Sequence, residues 1–496
     1  MEHAAHTSED HLHALDRTSC YRALAAKDAR FDGVFFTGVK TTGIYCRPVC
    51  SVKTPRESSC LFFGTAAAAE AAGFRPCLRC RPELAPYALQ QNLAHAVWQR
   101  IAAGALNDGN VERLAREVGL SSRQLRRVLL QQFGVTPVEL AQTQRLLFAK
   151  KLLQETTLPM AEIAFAAGFG SVRRFNALFS LRYGIVPTAI RRAARKHEGG
   201  DRDALVLRLA YRPPLHWERM LHYLAGRVIS GVESVRQENG LHYLRTVRIG
   251  DASGWLRATH SPERQQVALE VSPSLSSVLM PLLARVRSLF DLDASPAVIE
   301  GHLRHDPLLA VSLDAFPGLR VPGAFDVFEL AVRAILGQQV SVAGATTLSA
   351  RLVQQFGDGA DTPFPQLTHH FPTPAVLASA SSSDIASIGL PQARAETIHK
   401  LAGFATQGGL QMPPGLSLDD AVSRLKSVRG IGDWTAHYIA LRALRFPDAF
   451  PAGDLGLQKA AAGQAGRLTE KQLIARAAQW APWRGYAALA LWMGST

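Results

Sequence analysis

Two groups of residues in this chain have the types and spacing to do chemistry. The first is Cys46-x3-Cys50 followed by Cys77-x2-Cys80. Two close cysteine pairs separated by a spacer bring four thiolates to one ion without straining the backbone, and sulfur suits Zn(II). Pro48, Pro76 and Pro82 stiffen the knuckles. Two disulfides, or a purely structural knuckle, are the alternatives. Cys20 and Cys60 are left over as small core residues. The second group is Val428-Arg429-Gly430-Ile431-Gly432-Asp433-Trp434-Thr435, followed by Pro451-Ala452-Gly453-Asp454. Val-x-Gly-Ile-Gly between two helical patterns predicts a tight turn in which Gly430 and Gly432 can take φ > 0 and leave no side chain in the way. Ile431 packs back onto the helices, and the second helix opens with free backbone N–H groups that can hold a phosphate. A lone carboxylate, Asp454, comes after a Pro-Gly loop. A phosphate grip beside an acid suggests chemistry on a nucleic acid. On these residues alone, an ordinary helix connection with a surface Asp reads as well.

The rest of the chain must position these groups. At 496 residues it has room for three or four domains. With 47% hydrophobic and 19% charged residues it is globular, not disordered. The formal charge of +14 is uneven: residues 1–200 hold 27 Lys and Arg against 16 Asp and Glu, residues 201–496 hold 28 against 25. A basic N-terminal part implies a polyanionic partner, nucleic acid first. No apolar run is long enough to span a bilayer. Met1-Glu2-His3-Ala4-Ala5-His6 lacks the basic and apolar regions of a signal peptide. The expectation is a cytoplasmic protein with reduced thiols, free for metal or chemistry.

Asp32-Gly33-Val34-Phe35-Phe36-Thr37-Gly38-Val39-Lys40 through Tyr45-Cys46-Arg47-Pro48-Val49-Cys50, with Gly73-Phe74-Arg75-Pro76-Cys77-Leu78-Arg79-Cys80, resembles the N-terminal domain of the Ada family. The resemblance implies that Cys46 takes a methyl group from a methylphosphotriester in DNA, once and without return. The physics agrees. A four-thiolate zinc site carries a charge near −2 and repels DNA, and zinc keeps Cys46 nucleophilic. Methylation removes one negative charge, so DNA binding should tighten.

After a helical lead-in over 86–110, Val111, Leu114, Ala115 and Val118 form the apolar face of a helix ending at Gly119. Ser121 or Ser122 caps a second helix with Leu125, Val128 and Leu129 inward and Arg123, Gln124, Arg126 and Arg127 outward. That is helix-turn-helix spacing with a basic reading helix. The plan recurs about fifty residues on, where Arg173, Arg174 and Asn176 face out. Both units close with Phe/Tyr-Gly and then Pro: Phe133-Gly134 to Pro137, and Tyr183-Gly184 to Pro187. Two such units on a linking helix over 138–153 resemble the AraC-type DNA-binding domain, which implies two reading helices in successive major grooves.

Residues 191–202 read as a basic linker with Gly199-Gly200-Asp201. Strand patterns follow over 204–211, 243–249, 255–259 and 266–271, with a helix over 217–227. Arg208-Leu209-Ala210-Tyr211-Arg212-Pro213-Pro214-Leu215-His216-Trp217 resembles the opening domain of AlkA-type 3-methyladenine DNA glycosylase II, a TATA-box-protein-like sheet with no direct role in chemistry. From Ser274 the pattern is helical, apart from a Pro-rich loop over 362–374. Phe325–Ser341, the 428–435 hairpin and Asp454 resemble the helix-hairpin-helix glycosylase superfamily, AlkA branch. The likeness covers roughly residues 203–496. It implies that Asp454 stabilises positive charge on the sugar as the C1′–N bond breaks. Trp434, Tyr438 and Trp492 match pocket positions that favour electron-poor alkylated bases. Asp433 stands where bifunctional members place a Lys, so no Schiff base forms and the strand stays uncut. Gln339 falls at the position of the family's leucine wedge. No cysteine follows residue 80, which excludes an iron–sulfur cluster.

The expected protein is multidomain and mostly α with α+β parts. It has a small zinc domain (1–85), an AraC-type double helix-turn-helix (86–197), a TATA-box-protein-like α+β domain (198–290) and an all-α helix-hairpin-helix glycosylase domain (291–496). It would bind Zn(II) through Cys46, Cys50, Cys77 and Cys80, grip DNA with Gly430 and Gly432, and read promoter DNA. It would excise alkylated bases and act as an activator alongside RNA polymerase, without need to dimerise. The Pro-Cys-His-Arg nucleophile of a second Ada methyltransferase is absent, so O6-alkylguanine repair is not expected. The competing reading is a zinc-bearing regulator whose glycosylase-like half only binds DNA.

Overall fold

A computed structural model of the protein describes residues 17–85, 93–107, 109–195, 205–238, 240–413, 415–463 and 466–494. The chain start, residues 86–92 of the expected lead-in and the Gly199-Gly200-Asp201 linker lie outside the described residues. The chain divides into two compact units: residues 1–212, 263–284 and 413–415, and residues 213–262, 285–412 and 416–496.

In the first unit, helix α1 (Arg17–Ala25) precedes strands β1 (Phe36–Val39), β2 (Ile44–Cys46) and β3 (Cys60–Phe63), helix α2 (Ala66–Ala71) and the short β4 (Arg75–Pro76). The strands form one sheet in the order β3-β1-β2-β4, and Thr37 faces Cys46 across the β1–β2 pair. Phe36, Tyr45, Phe63 and Phe74 make its core, with Ala66 and Ala69 of α2 against them. Cys20 and Cys60 are fully buried in a second small cluster, as expected of small core residues.

Seven helices follow: α3 (Leu93–Ala102), α4 (Val111–Glu117), α5 (Ser122–Phe133), α6 (Pro137–Glu155), α7 (Met160–Ala166), α8 (Val172–Tyr183) and α9 (Pro187–Arg195). The two helix-turn-helix units are α4–α5 and α7–α8. Each reading helix ends at a left-handed glycine, Gly134 and Gly184, where a Cβ would be strained. The linking helix α6 starts with a Thr136/Glu139 capping box. Ion pairs bind it to the cysteine-bearing segment. Lys150 is wholly buried and donates to the Cys77 carbonyl (3.1 Å) and to Glu83 (2.8 Å). Arg81 bridges Glu83 and Glu155, and Lys151 pairs with Glu155. Burial pushes the Glu83 carboxyl up, but Lys150 and Arg81 pull it below its usual range. Glu70 of α2 accepts from Tyr45 (3.1 Å) and Thr143 of α6 (3.0 Å). The unit closes with strand β5 (Leu205–Ala210), antiparallel to Gln266–Val271.

The second unit opens with helix α10 (Trp217–Ala225) and an antiparallel meander, β6 (Glu233–Gln237), β7 (Leu241–Ile249) and β8 (Ala252–Ser261). Strand β6 escaped the sequence pattern because Glu-Ser-Val-Arg-Gln lacks apolar alternation; its buried glutamate is an ion-pair partner instead. Glu233 meets Arg333 at 3.0 Å, and Arg245 meets Glu329 at 2.7 Å, which ties the meander to helix Val327–Leu336. Residues 362–373 form the expected loop before helix Pro374–Ser379. Helices Leu418–Lys426 and Asp433–Arg442 form the hairpin, and Asp454 caps the short helix Leu455–Ala460.

Candidate active site and metal centre

In the second unit, one cavity of about 640 Å³ gathers side chains from α10, helices Val327–Leu336, Val342–Phe356 and Asp433–Arg442, and the last helix, Arg484–Gly494. Asp454, Trp434, Tyr438 and Trp492 all line it. Asp454 is half-buried and held from three sides. The Leu457 amide donates to Oδ1 (2.9 Å), the Trp434 indole N–H to Oδ2 (3.2 Å) and the Trp492 indole N–H to Oδ1 (3.3 Å). Three donors on one carboxylate fix its orientation. Trp434 and Tyr438, one helical turn apart, stack with ring centroids 5.3 Å apart and planes 12° from parallel.

The hairpin turn is only partly as expected. Gly430 has φ of 101°, and a Cβ there would come within 2.0 Å of Thr397 Oγ1, so only glycine fits. Gly432 does not take positive φ. It is extended (φ −91°, ψ −178°) with open space where a Cβ would go. Its physical role is different: as the helix N-cap it contributes no side-chain bond to the first N–H groups of Asp433–Arg442. Ile431 is buried, as expected. Gln338 ties the neighbouring loop to this turn, donating to the Gly430 carbonyl (3.2 Å) and Thr435 Oγ1 (3.0 Å). Gln339 beside it is exposed at φ 55°.

In the first unit, the sulfurs of Cys46, Cys50, Cys77 and Cys80 lie within 4.8 Å of one another, and none is in a disulfide. Backbone amides donate to two of them, Arg47 to Cys80 Sγ and Arg79 to Cys77 Sγ, each at 3.4 Å. Four clustered thiolates with N–H support fit Zn(II). The Arg47 side chain is buried, paired with Asp32 and bonded to the Cys80 carbonyl (3.1 Å). On α5, Arg123, Gln124 and Arg126 are exposed, although the Gln124 amide oxygen also caps the helix through Ser121 N (2.9 Å). Arg173, Arg174 and Asn176 are exposed on α8, with Phe175 and Phe179 buried behind them.

Four family models match along the chain: the metal binding domain of Ada (residues 19–83), a helix-turn-helix domain (114–193), the AlkA N-terminal domain (206–326) and the HhH-GPD superfamily base excision DNA repair protein (332–482). A Mycobacterium tuberculosis protein described as a probable bifunctional transcriptional activator/DNA repair enzyme AlkA is 40% identical over 484 residues, covering 96% of each chain. This chain belongs to the Ada–AlkA fusion family. The Escherichia coli DNA-3-methyladenine glycosylase 2 is 38% identical over 284 residues, 57% of this chain and 95% of that one. A solved 3-methyladenine DNA glycosylase from Archaeoglobus fulgidus shares the fold, with a TM-score of 0.50, 20% identity, and coverage of 58% of this chain and 97% of that one.

In this Ada–AlkA fusion the α+β segment contributes to the cavity wall: Arg219, His222, Tyr223 and Arg227 of α10 line the same cavity as Asp454. Arg333 and Arg442 line it too, Arg333 paired with Glu233 and Glu329. Arg442 donates to the Tyr438 hydroxyl at 2.6 Å, and Arg227 lies 3.8 Å over the Tyr223 ring. Burial pushes the Tyr438 phenol up, but Arg442, Arg227 and the bond from Tyr223 pull it down to about 8. Burial raises Tyr223 to about 12. These residues escaped sequence reasoning because nothing in α10 marks one face as catalytic. The one available signal was two large polar aromatics, His222 and Tyr223, opening onto Arg227.

Proposed function

We propose that this chain excises alkylated bases of the 3-methyladenine type by hydrolysing the N-glycosidic bond, leaving the strand uncut. We propose also that it takes a methyl group from DNA methylphosphotriesters onto Cys46 and thereby becomes a tighter DNA-binding activator. The observation that carries the first part is the Asp454 carboxylate, clamped by two indole N–H groups at the wall of an aromatic cavity.

The roles follow from the chemistry of each side chain. A flipped alkylpurine, already electron-poor, stacks among Trp434, Tyr438 and Trp492. The C1′–N bond breaks, the base keeps the electron pair, and Asp454 stabilises the cationic sugar while water adds at C1′. Asp433 in place of a lysine leaves no amine at that position to form a Schiff base, and its carboxylate holds the ammonium of Lys426 in an ion pair at 2.7 Å. The first N–H groups after Gly432 hold a backbone phosphate, and Gly430 lets the backbone approach. Gln339 fills the gap left by the flipped base. In the first unit, Cys46, Cys50, Cys77 and Cys80 would hold zinc, which would keep Cys46 a thiolate. Arg123, Gln124 and Arg126 of one reading helix and Arg173, Arg174 and Asn176 of the other contact promoter DNA. As an activator the chain would work with RNA polymerase. Its two reading helices let it act as a monomer, in the cytoplasm where its DNA is.

The test is release of free base from 3-methyladenine-containing DNA, with strand integrity followed in parallel. Release without nicking is expected. No release would leave the rival reading, a regulator whose glycosylase-like half only binds DNA. For the acceptor, mass spectrometry after incubation with methylphosphotriester DNA should show one added CH2 on Cys46, and a label on Cys50, Cys77 or Cys80 would overturn the assignment.

A further inference from the structure

The four sulfurs of the cysteine cluster are not equivalent. Cys46 and Cys50, and neither Cys77 nor Cys80, border a notch of about 20 Å³ in the first unit. Leu24, Thr37 and the two cysteines in its lining are buried; half-buried Val39, Val52, Thr54 and Pro55 complete it. A space of that size holds one water-sized group. A methyl group is of that size, and the lining is mainly apolar.

Thr37 supplies a second, independent observation. It is fully buried, it faces Cys46 directly across the β1–β2 pair, and its hydroxyl has no hydrogen-bond partner among the described residues. Strand alternation puts Val39 on the same face. A buried hydroxyl without a partner and a gap beside a sulfur both weaken the fold. Their coincidence next to the nucleophile calls for a ligand that satisfies both.

We propose that this notch seats the methyl group of a DNA methylphosphotriester against Cys46 Sγ and excludes longer alkyl groups, with the Thr37 hydroxyl donating to the oxygen that gives the methyl up. This rests on the reading of Cys46 as acceptor. The thiolate sulfur forms the S–C bond as the O–C bond breaks. The phosphate oxygen keeps the electron pair, and the neutral triester becomes a diester anion. No proton transfer and no co-reactant are needed. The negative charge develops on the oxygen, where an otherwise unused donor gains most from being already in place. An ethyl group brings one more carbon than a space of about 20 Å³ accommodates, and Val39 and Val52 are the branched side chains of its lining.

The full zinc-loaded chain is incubated with oligonucleotides bearing one methyl or one ethyl phosphotriester. Peptide mass spectrometry then follows addition of CH2 or C2H4 to Cys46 over time. Ethyl carbon is intrinsically the slower centre, so the readout is the change in the methyl-to-ethyl rate ratio on mutation. Val39→Ala and Val52→Ala are each expected to narrow that ratio by about tenfold, the worth of a methylene in an apolar pocket. Thr37→Val is expected to slow methyl transfer about tenfold without lowering the melting temperature, because it removes an unpaired buried hydroxyl. A merely structural Thr37 would move the melting temperature and not the rate. Ratios unchanged in both valine variants, or a wild-type rate in Thr37→Val, would overturn the proposal. No alkyl group on Cys46 from either oligonucleotide, with zinc content intact, would instead bring down the acceptor assignment itself.

Discussion

The two chemical centres of this chain are built in opposite ways. The cysteine cluster draws its four sulfurs from 35 residues of sequence, 46 to 80, and carries its electrostatics in buried pairs around it: Arg47 with Asp32, Lys150 with Glu83, Lys151 with Glu155. The base cavity draws Tyr223, Trp434, Asp454 and Trp492 from nearly 270 residues, and its arginines line the cavity itself. A site that acts once needs its nucleophile fixed and its surroundings neutralised. A site that turns over needs an opening, and charge that a ligand can feel. The contrast therefore predicts which substitutions harm chemistry and which harm the fold.

The largest effect should come from Asp454→Asn. The amide keeps the size and one acceptor for the indoles but loses the negative charge facing the sugar. Single-turnover base release should fall by about a thousandfold, in the range for removing a group aimed at developing charge. DNA affinity and melting temperature should change little, because the residue is half-buried and its cap on Leu457 survives. If affinity fell in step with rate, Asp454 would be a structural group like those of the first unit, and the contrast would fail.

Lys150→Met tests the other side. It removes an ammonium that holds both the Cys77 carbonyl and Glu83, and Glu83 keeps only Arg81. Breaking a fully buried pair costs about 3–5 kcal/mol; with one partner left, about 2–3 kcal/mol is expected in urea unfolding of the zinc-loaded chain. Lys150→Met/Glu83→Gln should recover most of that, since no buried charge is left unpaired. Zinc should pass to a chelator faster in the single variant, while base release at 25 °C should hold. A single variant as stable as wild type, with unchanged zinc release, would mean the ion pairs around α6 do not support the cluster.

The same contrast explains what the sequence made legible. The cysteine spacing is itself the site, so the ligands could be named from four positions. The doubled Phe/Tyr-Gly…Pro pattern likewise fixed both reading helices, because left-handed Gly134 and Gly184 are local needs of the backbone. Asp454 was reachable through its loop and its likeness to a family. Tyr223 and Arg442 were not, because their meeting 219 residues apart in sequence is decided by tertiary packing. Lys150 and Lys151 left a faint trace, two lysines inside Leu146-Leu147-Phe148-Ala149-Lys150-Lys151-Leu152-Leu153. An apolar run interrupted by adjacent charges, in a stretch of helix buried throughout, demands partners, yet nothing local says that they are Glu83 and Glu155. Gly432 was misread for a related reason: a glycine can mark positive φ or merely open space, and only the surroundings distinguish the two.

The smallest expected effect, a pH dependence, probes the arginines that flank Tyr438 in the base cavity. Tyr438 is held near 8 by Arg442 and Arg227 against the upward push of burial, whereas an unfolded tyrosine titrates near 10. Between those values the unfolded chain binds more protons at this residue than the folded one. Stability from Tyr438 is therefore absent below pH 8, rises through pH 8–10 and is complete above. Tyr223, raised to about 12, acts with the opposite sign in a separate window, giving up stability only as pH rises from 10 to 12. Lys151, lowered by burial to about 8, rises in the same window as Tyr438, but it belongs to the first unit and is common to wild type and variant. The difference between wild type and Tyr438→Phe isolates the phenol. Phenolate absorbance should show one tyrosine ionising near pH 8 in the wild type and none there in Tyr438→Phe, and the rise in stability between pH 8 and 10 should shrink by the same substitution. The ionised phenol also adds negative charge beside Trp434, so binding of DNA carrying the cationic 3-methyladenine nucleotide, measured in an Asp454→Asn background that does not turn over, should tighten by a few-fold between pH 7 and 9 with Tyr438 present and stay flat with Tyr438→Phe. Identical pH profiles for the two proteins would show that the arginines of this cavity are neutralised by their own carboxylate partners, as Arg333 is by Glu233 and Glu329 and as the ion pairs of the first unit are, and the distinction between the two centres would then rest on Asp454 alone.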